Sequence, residues 1–141
     1  MNKKYYFDTS IWLDLFENRD EEHLPKGKYA WELMKKIIVE DAVIVYSDFI
    51  ITELIEGYGY PPYKAEALFQ PFQRIIFFVY STEKQNTKAQ DLSAKRKIPF
   101  GDALHAFIAR DCQAQLVTRD KDFQKLIDII LTKKPEELIQ D

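Results

Sequence analysis

Four acidic residues each lie near the point where an apolar, strand-like run gives way to a helical pattern. They are Asp8, Glu53, Asp102 and Asp120. Open parallel α/β sheets place their sites at the carboxyl ends of the strands. Carboxylates gathered there repel one another unless a cation neutralises them. Mg²⁺ and Mn²⁺ prefer oxygen ligands, so the four acids predict a divalent-metal site that handles phosphate.

Such a site suits the hydrolysis of a phosphodiester bond. One or two divalent ions can activate water and stabilise charge on the scissile phosphate, so no histidine is needed as a general base. His105 lies one helical turn after Asp102, but a packing role is the commoner one for such a histidine. Thr9, Ser10 and Thr118 could orient a carboxylate or a water, or could act as caps, and both interpretations stay open.

Each acid also has a structural explanation. Asp102 precedes an apolar helical run and could be an N-cap. Asp120 could simply open a turn, and Glu53 could be an exposed helix residue. Asp8 is the hardest to explain, because an acid that ends a buried strand needs partners. The functional interpretation therefore depends on all four acids occurring at equivalent topological positions.

Short apolar runs bounded by polar residues predict the strands that would position these acids. The runs cover residues 4–8, 42–46, 75–80 and 115–118, with a weaker fifth at 128–131. Helical patterns separate them, which is typical of a βαβ series with right-handed crossovers. We therefore expect an α/β fold with a parallel sheet.

The predicted helices lie between these runs. Thr9 or Ser10 is expected to cap the first helix, and Ser47 or Asp48 the helix over residues 49–56. Further helices are predicted over residues 28–40, 63–72 and 82–97, from residue 102 onward, and over 135–139.

Length and composition describe one ordinary globular domain. The 141 residues are 46% hydrophobic and 30% charged, with no repeat or linker, so residues 1–141 are interpreted as a single domain. Cys112 is the only cysteine, which excludes an internal disulfide and fits a reducing compartment. Apolar runs are too short for a signal peptide or a bilayer span, so we expect a cytoplasmic protein without membrane contact.

Four short segments occur in order along the chain. They are FDTS at residues 7–10, TELIEG at 52–57, DALHA at 102–106 and VTRDKDF at 117–123. Together they resemble the motif set of PIN-domain ribonucleases, and within that family they are most similar to VapC-type toxins of prokaryotic toxin–antitoxin pairs. The resemblance extends over nearly the whole chain.

The resemblance implies a three-layer α/β/α fold whose central parallel sheet has the strand order 3-2-1-4-5. It implies a metal-dependent endoribonuclease in which Asp8, Glu53, Asp102 and Asp120 bind Mg²⁺ or Mn²⁺, with Asp122 as an auxiliary ligand. A homodimer and a small inhibitory antitoxin protein are implied as well.

An RNA substrate and this protein would both carry net negative charge. The net charge of −3 gives no general attraction for nucleic acid, so binding must come from local cations or bound metal. Arg119 and Lys121 flank Asp120 and are the better candidates for phosphate contacts. The basic residues 95–97 are the next candidates.

Other classes of α/β protein require different residues after the first strand. A phosphoacceptor receiver domain needs an acidic pair after the first strand, and a haloacid-dehalogenase-type phosphatase needs Asp-x-Asp there. Thr9 and Ser10 stand in those places, which disfavours both. No glycine-rich dinucleotide fingerprint follows the first strand. A housekeeping RNA-processing nuclease and a catalytically inactive protein-binding module of the same fold remain alternatives.

Overall fold

The computed structural model describes residues 3–140. In chain order, its elements are β1 (Lys4–Phe7), α1 (Thr9–Glu17), β2 (Asp20–Glu21), β3 (Leu24–Pro25), α2 (Lys26–Val39), β4 (Val43–Ser47), α3 (Asp48–Thr52), α4 (Pro62–Ala67), β5 (Ile76–Val79), α5 (Glu83–Arg96), α6 (Phe100–Asp111), β6 (Gln115–Val117), β7 (Thr132–Lys133) and α7 (Pro135–Leu138). One π-helical turn (Glu53–Gly57) continues α3, and 3₁₀ turns cover Gln70–Phe72 and Lys121–Leu126.

The central sheet in this part of the chain has five parallel strands in the order β5-β4-β1-β6-β7. When only the strands of this sheet are numbered along the chain, the order is 3-2-1-4-5, as predicted. Helices flank the sheet in a three-layer α/β/α arrangement. Strand order reverses around β1, so the carboxyl ends of β1 and β6 border the place where such sheets hold their sites. β2 and β3 form a separate antiparallel hairpin.

The core is built around β1. The side chains of Tyr5, Tyr6 and Phe7 are fully buried, as expected for a strand covered on both faces. Trp12 of α1 packs among the rings of Phe7, Phe16, Phe69 and Phe72. This packing fixes the end of β1, from which Asp8 follows.

Two local predictions are corrected by the structure. The fifth strand lies at Thr132–Lys133 and not at 128–131, because residues 127–129 form a turn. Arg96 binds both carboxylate oxygens of Asp128 at 2.7 and 2.8 Å, and this ion pair holds the turn. The helix predicted over residues 63–72 is split, since α4 ends at Ala67 and Pro71 lies in the following 3₁₀ turn.

Among the helices of residues 3–140, none is both long enough and apolar enough to cross a bilayer.

Candidate metal centre

Three acids from two elements converge beyond the carboxyl end of β6. Among residues 3–140, carboxylate oxygens of Asp102, Asp120 and Asp122 all lie within 4.8 Å of one another. Asp102 comes from the first turn of α6, and the other two come from the 3₁₀ turn after β6 and its cap. Three carboxylates at these distances repel one another, so a cation would stabilise their ionised forms.

Asp102 shows this repulsion most clearly. Its Oδ2 atom is buried and has no hydrogen-bond partner among the described residues. Burial and then the neighbouring carboxylate of Asp120 raise the pKa of Asp102 to about 8. A buried oxygen without a partner, close to two further acids, has the surroundings that a hard divalent cation fits.

Asp102 and Asp120 differ in whether they cap a helical turn. Asp102 is not an N-cap, because α6 begins at Phe100 and Pro99 occupies the cap position. Asp120 is a cap, since its Oδ1 atom accepts a hydrogen bond from the N–H of Asp122 at 2.9 Å. A carboxylate has two oxygens, so this cap is compatible with metal binding by Asp120.

Asp8 ends β1, and both of its carboxylate oxygens are engaged. Oδ1 accepts hydrogen bonds from the Ser10 hydroxyl at 2.7 Å and from the N–H of Ile11 at 3.1 Å. Asp8 itself therefore caps α1, in place of the predicted Thr9 or Ser10. Burial raises the pKa of Asp8 above its ordinary value, although these hydrogen bonds oppose the change.

Thr118 connects Asp8 with the three-acid group. Its hydroxyl donates to Oδ2 of Asp8 and accepts a hydrogen bond from the N–H of Asp120 at 3.1 Å. Thr118 is 3% exposed, so water does not compete readily for these bonds. One buried hydroxyl thus fixes the end of β1 relative to the turn that carries Asp120.

Glu53 is oriented by two side chains. Its Oε1 atom lies 2.6 Å from Nε2 of His105 and accepts a hydrogen bond from the Thr9 hydroxyl at 2.5 Å. Burial opposes ionisation of Glu53, but the interactions with His105 and Thr9 outweigh it and hold the pKa below its ordinary value. Glu53 is therefore an ionised and positioned carboxylate at neutral pH.

Gly101 lets Glu53 approach the first turn of α6. A Cβ atom added at Gly101 would lie 2.9 Å from Oε2 of Glu53 and 3.4 Å from the ring of Phe49. Because Gly101 immediately precedes Asp102, the Glu53 carboxylate borders the backbone from which Asp102 projects. The missing side chain at Gly101 makes this proximity possible.

His105 is a positioning residue that the sequence interpretation treated as helix packing. It is buried, and its Nδ1 atom lies 2.7 Å from the hydroxyl of Tyr6, which in turn lies 2.9 Å from Oγ of Ser47. Its spacing of three residues from Asp102 could have signalled a role at the site, because positions i and i+3 are neighbours on a helix.

Arg119 is held between two acidic side chains. Its side chain is 14% exposed, bonds Glu136 at 2.8 Å and lies 3.8 Å from Asp14. These acids would compete with a phosphate for the guanidinium group, and the RNA contact of Arg119 stays a prediction. Burial raises the pKa of Asp14 to about 6 even beside this cation. No local sequence pattern indicates that these three residues pair.

A family model described as the PIN domain matches residues 5–128 of the chain. A search of curated proteins gives no match.

Solved structures with a similar fold include proteins of toxin–antitoxin systems. VapBC-1 from nontypeable Haemophilus influenzae has a TM-score of 0.67 at 20% identity, covering 94% of this chain and 98% of that one. VapBC2 from Rickettsia felis, bound to a DNA fragment from its promoter, has a TM-score of 0.66 at 17% identity, covering 93% and 98%. VapC20 from Mycobacterium tuberculosis, a sarcin-ricin loop cleaving toxin, has a TM-score of 0.60 at 20% identity, covering 86% and 94%. At these identities the likeness is one of fold.

Proposed function

The chain belongs to the PIN domain family, and on that premise we propose that it is a divalent-metal-dependent endoribonuclease. The observation that carries the proposal is the group of Asp102, Asp120 and Asp122, with carboxylate oxygens within 4.8 Å of one another. The buried and unpartnered Oδ2 atom of Asp102 supports it. The reaction is hydrolysis of RNA phosphodiester bonds.

Mg²⁺ and Mn²⁺ fit the donor atoms of this centre, because both prefer carboxylate oxygens and keep several water ligands. Asp8, Glu53, Asp102 and Asp120 would hold the ion, with Asp122 as the auxiliary ligand. When bound, the ion supplies a Lewis acid that activates water and stabilises negative charge on the scissile phosphate.

The chain's own residues orient these ligands in advance. Ser10 and Thr118 hold the two oxygens of Asp8, and His105 and Thr9 hold Oε1 of Glu53. Such partners fix the direction of a carboxylate and keep it from turning toward other donors. Thr9, Ser10 and Thr118 therefore serve the centre by orienting carboxylates, which was one of the two interpretations left open by the sequence.

RNA binding is proposed to begin at Lys121. This residue is exposed and lines a groove beside Asp120, together with Gln124 and the exposed Lys134. The two ammonium groups provide positive charge next to the acids of an otherwise negative protein. Phosphate contacts of this kind position a nucleic acid without reading its sequence.

The proposal includes the biological setting of the enzyme. Two of the structural neighbours are VapBC proteins, and a third is described as a toxin–antitoxin complex from Klebsiella pneumoniae. They support a toxin that has a small antitoxin protein as its partner. We propose that the chain also forms a homodimer and that the antitoxin inhibits it. The free thiol of Cys112 suits the reducing cytoplasm, where such a toxin meets RNA.

Cleavage of a labelled single-stranded RNA tests the function. The wild-type protein should cut it with Mg²⁺ or Mn²⁺ and stop when EDTA is added, and Asp102→Asn should be inactive with either ion. Asp91→Asn is the matched control, because Asp91 is an exposed acid of α5 that pairs with Lys95. Equal cleavage with and without EDTA would contradict the metal-dependent mechanism.

A further inference from the structure

A groove borders the metal centre on the side of Glu53. It has a volume of about 500 Å³ and is lined by Phe49, Thr52, Glu53, Glu56, Gly57 and Tyr58. Glu53 lines the groove and is a proposed ligand of the centre, so a ligand in the groove would lie beside the metal-binding acids. The volume is within the range of small-molecule sites, so one nucleotide can be accommodated.

Tyr58 is the exposed aromatic residue of this groove. Its side chain is 47% exposed, and its backbone N–H donates to the carbonyl oxygen of Glu53 at 3.1 Å. Burial and then the charges of Glu53 and Asp8 raise the pKa of the Tyr58 hydroxyl. The ring is therefore fixed close to the metal centre while much of its surface remains accessible.

Arg19 is held over the same ring. Its guanidinium carbon lies 5.9 Å from the centre of the Tyr58 ring, and its Nε atom donates to Glu17 at 2.9 Å. The hydroxyl of Tyr60 donates to the other carboxylate oxygen of Glu17. Tyr60 and Glu17 thus fix the cation on one face of Tyr58 and leave the rest of the ring open to a ligand.

We propose that Tyr58 and Arg19 form a subsite for one unpaired nucleotide of the RNA, next to the bond that is cut. The inference rests on the proposed ribonuclease function and names the part of the substrate that this groove receives. The base stacks on Tyr58, an interaction that is tolerant of base identity. Glu53 and Glu56 disfavour a phosphate inside the groove, so the phosphate lies toward Arg19, whose side chain bonds Glu17 through Nε and is 36% exposed.

This subsite selects for single-stranded RNA. A base can offer its face to Tyr58 only after it has left the stack of a duplex or lies in a loop or an end. The groove therefore favours loops and unpaired segments, whatever sequence the enzyme prefers.

Stacking is tested by measuring RNA binding in EDTA and at low salt, where no bond is cut. The probes are a short labelled oligouridylate and an abasic ribose-phosphate oligomer of the same length. Tyr58→Ala should bind the oligouridylate about 10-fold more weakly, and Tyr58→Phe should recover most of that loss. Tyr63→Ala, which removes an exposed tyrosine of α4, is the matched control.

The abasic oligomer separates base stacking from charge. The wild-type protein should prefer the oligouridylate, and Tyr58→Ala should bind both oligomers almost equally. If Tyr58→Ala keeps both the wild-type affinity and the wild-type preference for bases, the subsite is overturned.

A second variant closes the groove without disturbing the core. Apart from its own helical turn, a Cβ atom at Gly57 would meet no heavy atom of the described chain within 4 Å, so the side chain of Gly57→Leu begins in open space. This variant should lose affinity for the oligouridylate while its melting temperature and its Mn²⁺ affinity stay at the wild-type values. Wild-type RNA affinity in Gly57→Leu would contradict the proposed location.

Cleavage measurements and binding measurements together separate the nuclease activity from the nucleotide subsite. If the wild-type protein cuts RNA with Mg²⁺ but Tyr58→Ala binds and cuts as the wild type does, the subsite is overturned and the nuclease stands. If Tyr58-dependent binding is seen but no cleavage occurs with either ion, the nuclease activity is overturned and the nucleotide subsite stands.

Discussion

At the scale of single residues, Asp102 makes the metal-free protein sensitive to pH. Its pKa in the folded protein is about 8, compared with 3.8 for an ordinary aspartate. Between these values the folded protein keeps a proton that the unfolded chain has released. The free energy of unfolding must therefore fall as the pH rises through this window, and the lost stability is greatest above pH 8.

The Asp102→Asn variant should not show this loss of stability at high pH. In EDTA at a pH of about 9, its free energy of unfolding should exceed that of the wild type by about 1 kcal/mol or more. At a pH of about 4 the two proteins should differ little, because wild-type Asp102 is then protonated in the folded state. Thermal unfolding at both pH values measures the difference. A variant that is less stable at the higher pH would show that Asp102 mainly supports the fold.

Thr118 is expected to link stability and metal binding through its hydroxyl. Thr118→Val keeps the shape but leaves Oδ2 of Asp8 and the N–H of Asp120 without their partner. The free energy of unfolding should fall by about 1–3 kcal/mol, and Mn²⁺ affinity should fall by about 10-fold or more. Thr118→Ser keeps the hydroxyl and serves as the control in both measurements. Equal Mn²⁺ affinity in the two variants would show that the hydroxyl does not position the acids.

Residue types and their order predict which acids are candidates for the site, but they do not predict the direction in which each neighbouring side chain points. Arg119 was assigned to RNA because it adjoins Asp120 in the sequence. In the structure it pairs with Asp14 and Glu136, which lie on α1 and α7. Such partners are set by tertiary packing, and no local pattern encodes them.

At the scale of elements, the strands with long apolar runs were the predictable ones. β1, β4 and β6 are buried, so their sequences are apolar, and their order in the sheet agrees with the resemblance. β7 has only two residues and no apolar run. Its position depends on backbone pairing with β6 and on the turn held by Arg96 and Asp128, so the sequence could not place it.

Glu53 of the π-helical turn lies against Gly101 of α6, and a substitution at Gly101 tests whether this contact matters. Gly101→Ala should displace the Glu53 carboxylate, because the added Cβ atom would lie 2.9 Å from Oε2. Glu53 is a side-chain end, so it can move at little cost to the fold, but its orientation for metal is lost. Mn²⁺ affinity should fall by about 10-fold with only a small change in melting temperature.

Gly57→Ala is the control for this variant, since its Cβ atom would meet nothing in residues 3–140 within 4 Å. It should leave Mn²⁺ affinity unchanged. Wild-type Mn²⁺ affinity in Gly101→Ala would show that the position of Glu53 beside α6 does not matter for the ion.

At the scale of the whole molecule, the net charge of −3 makes RNA binding depend on a few local cations. Lys121 and Lys134 lie in the groove beside Asp120. Replacing both with Ala should weaken RNA binding and reduce the slope of log affinity against log salt by about 1 for each lysine. The paired replacement of Lys84 and Lys88 on α5 is the control. A wild-type slope in the Lys121/Lys134 variant would show that RNA does not contact this groove.

Asp102, Asp120 and Asp122 are proposed to lie in a divalent-metal site, and Mn²⁺ titration of the purified protein measures whether they do. Calorimetry at neutral pH should show saturable binding to the wild type and to the Asp91→Asn control. Asp102→Asn should bind Mn²⁺ at least about 10-fold more weakly, because the buried carboxylate is lost. Equal affinity in wild type and Asp102→Asn, or no binding by the wild type, would show that these acids do not form a divalent-metal site.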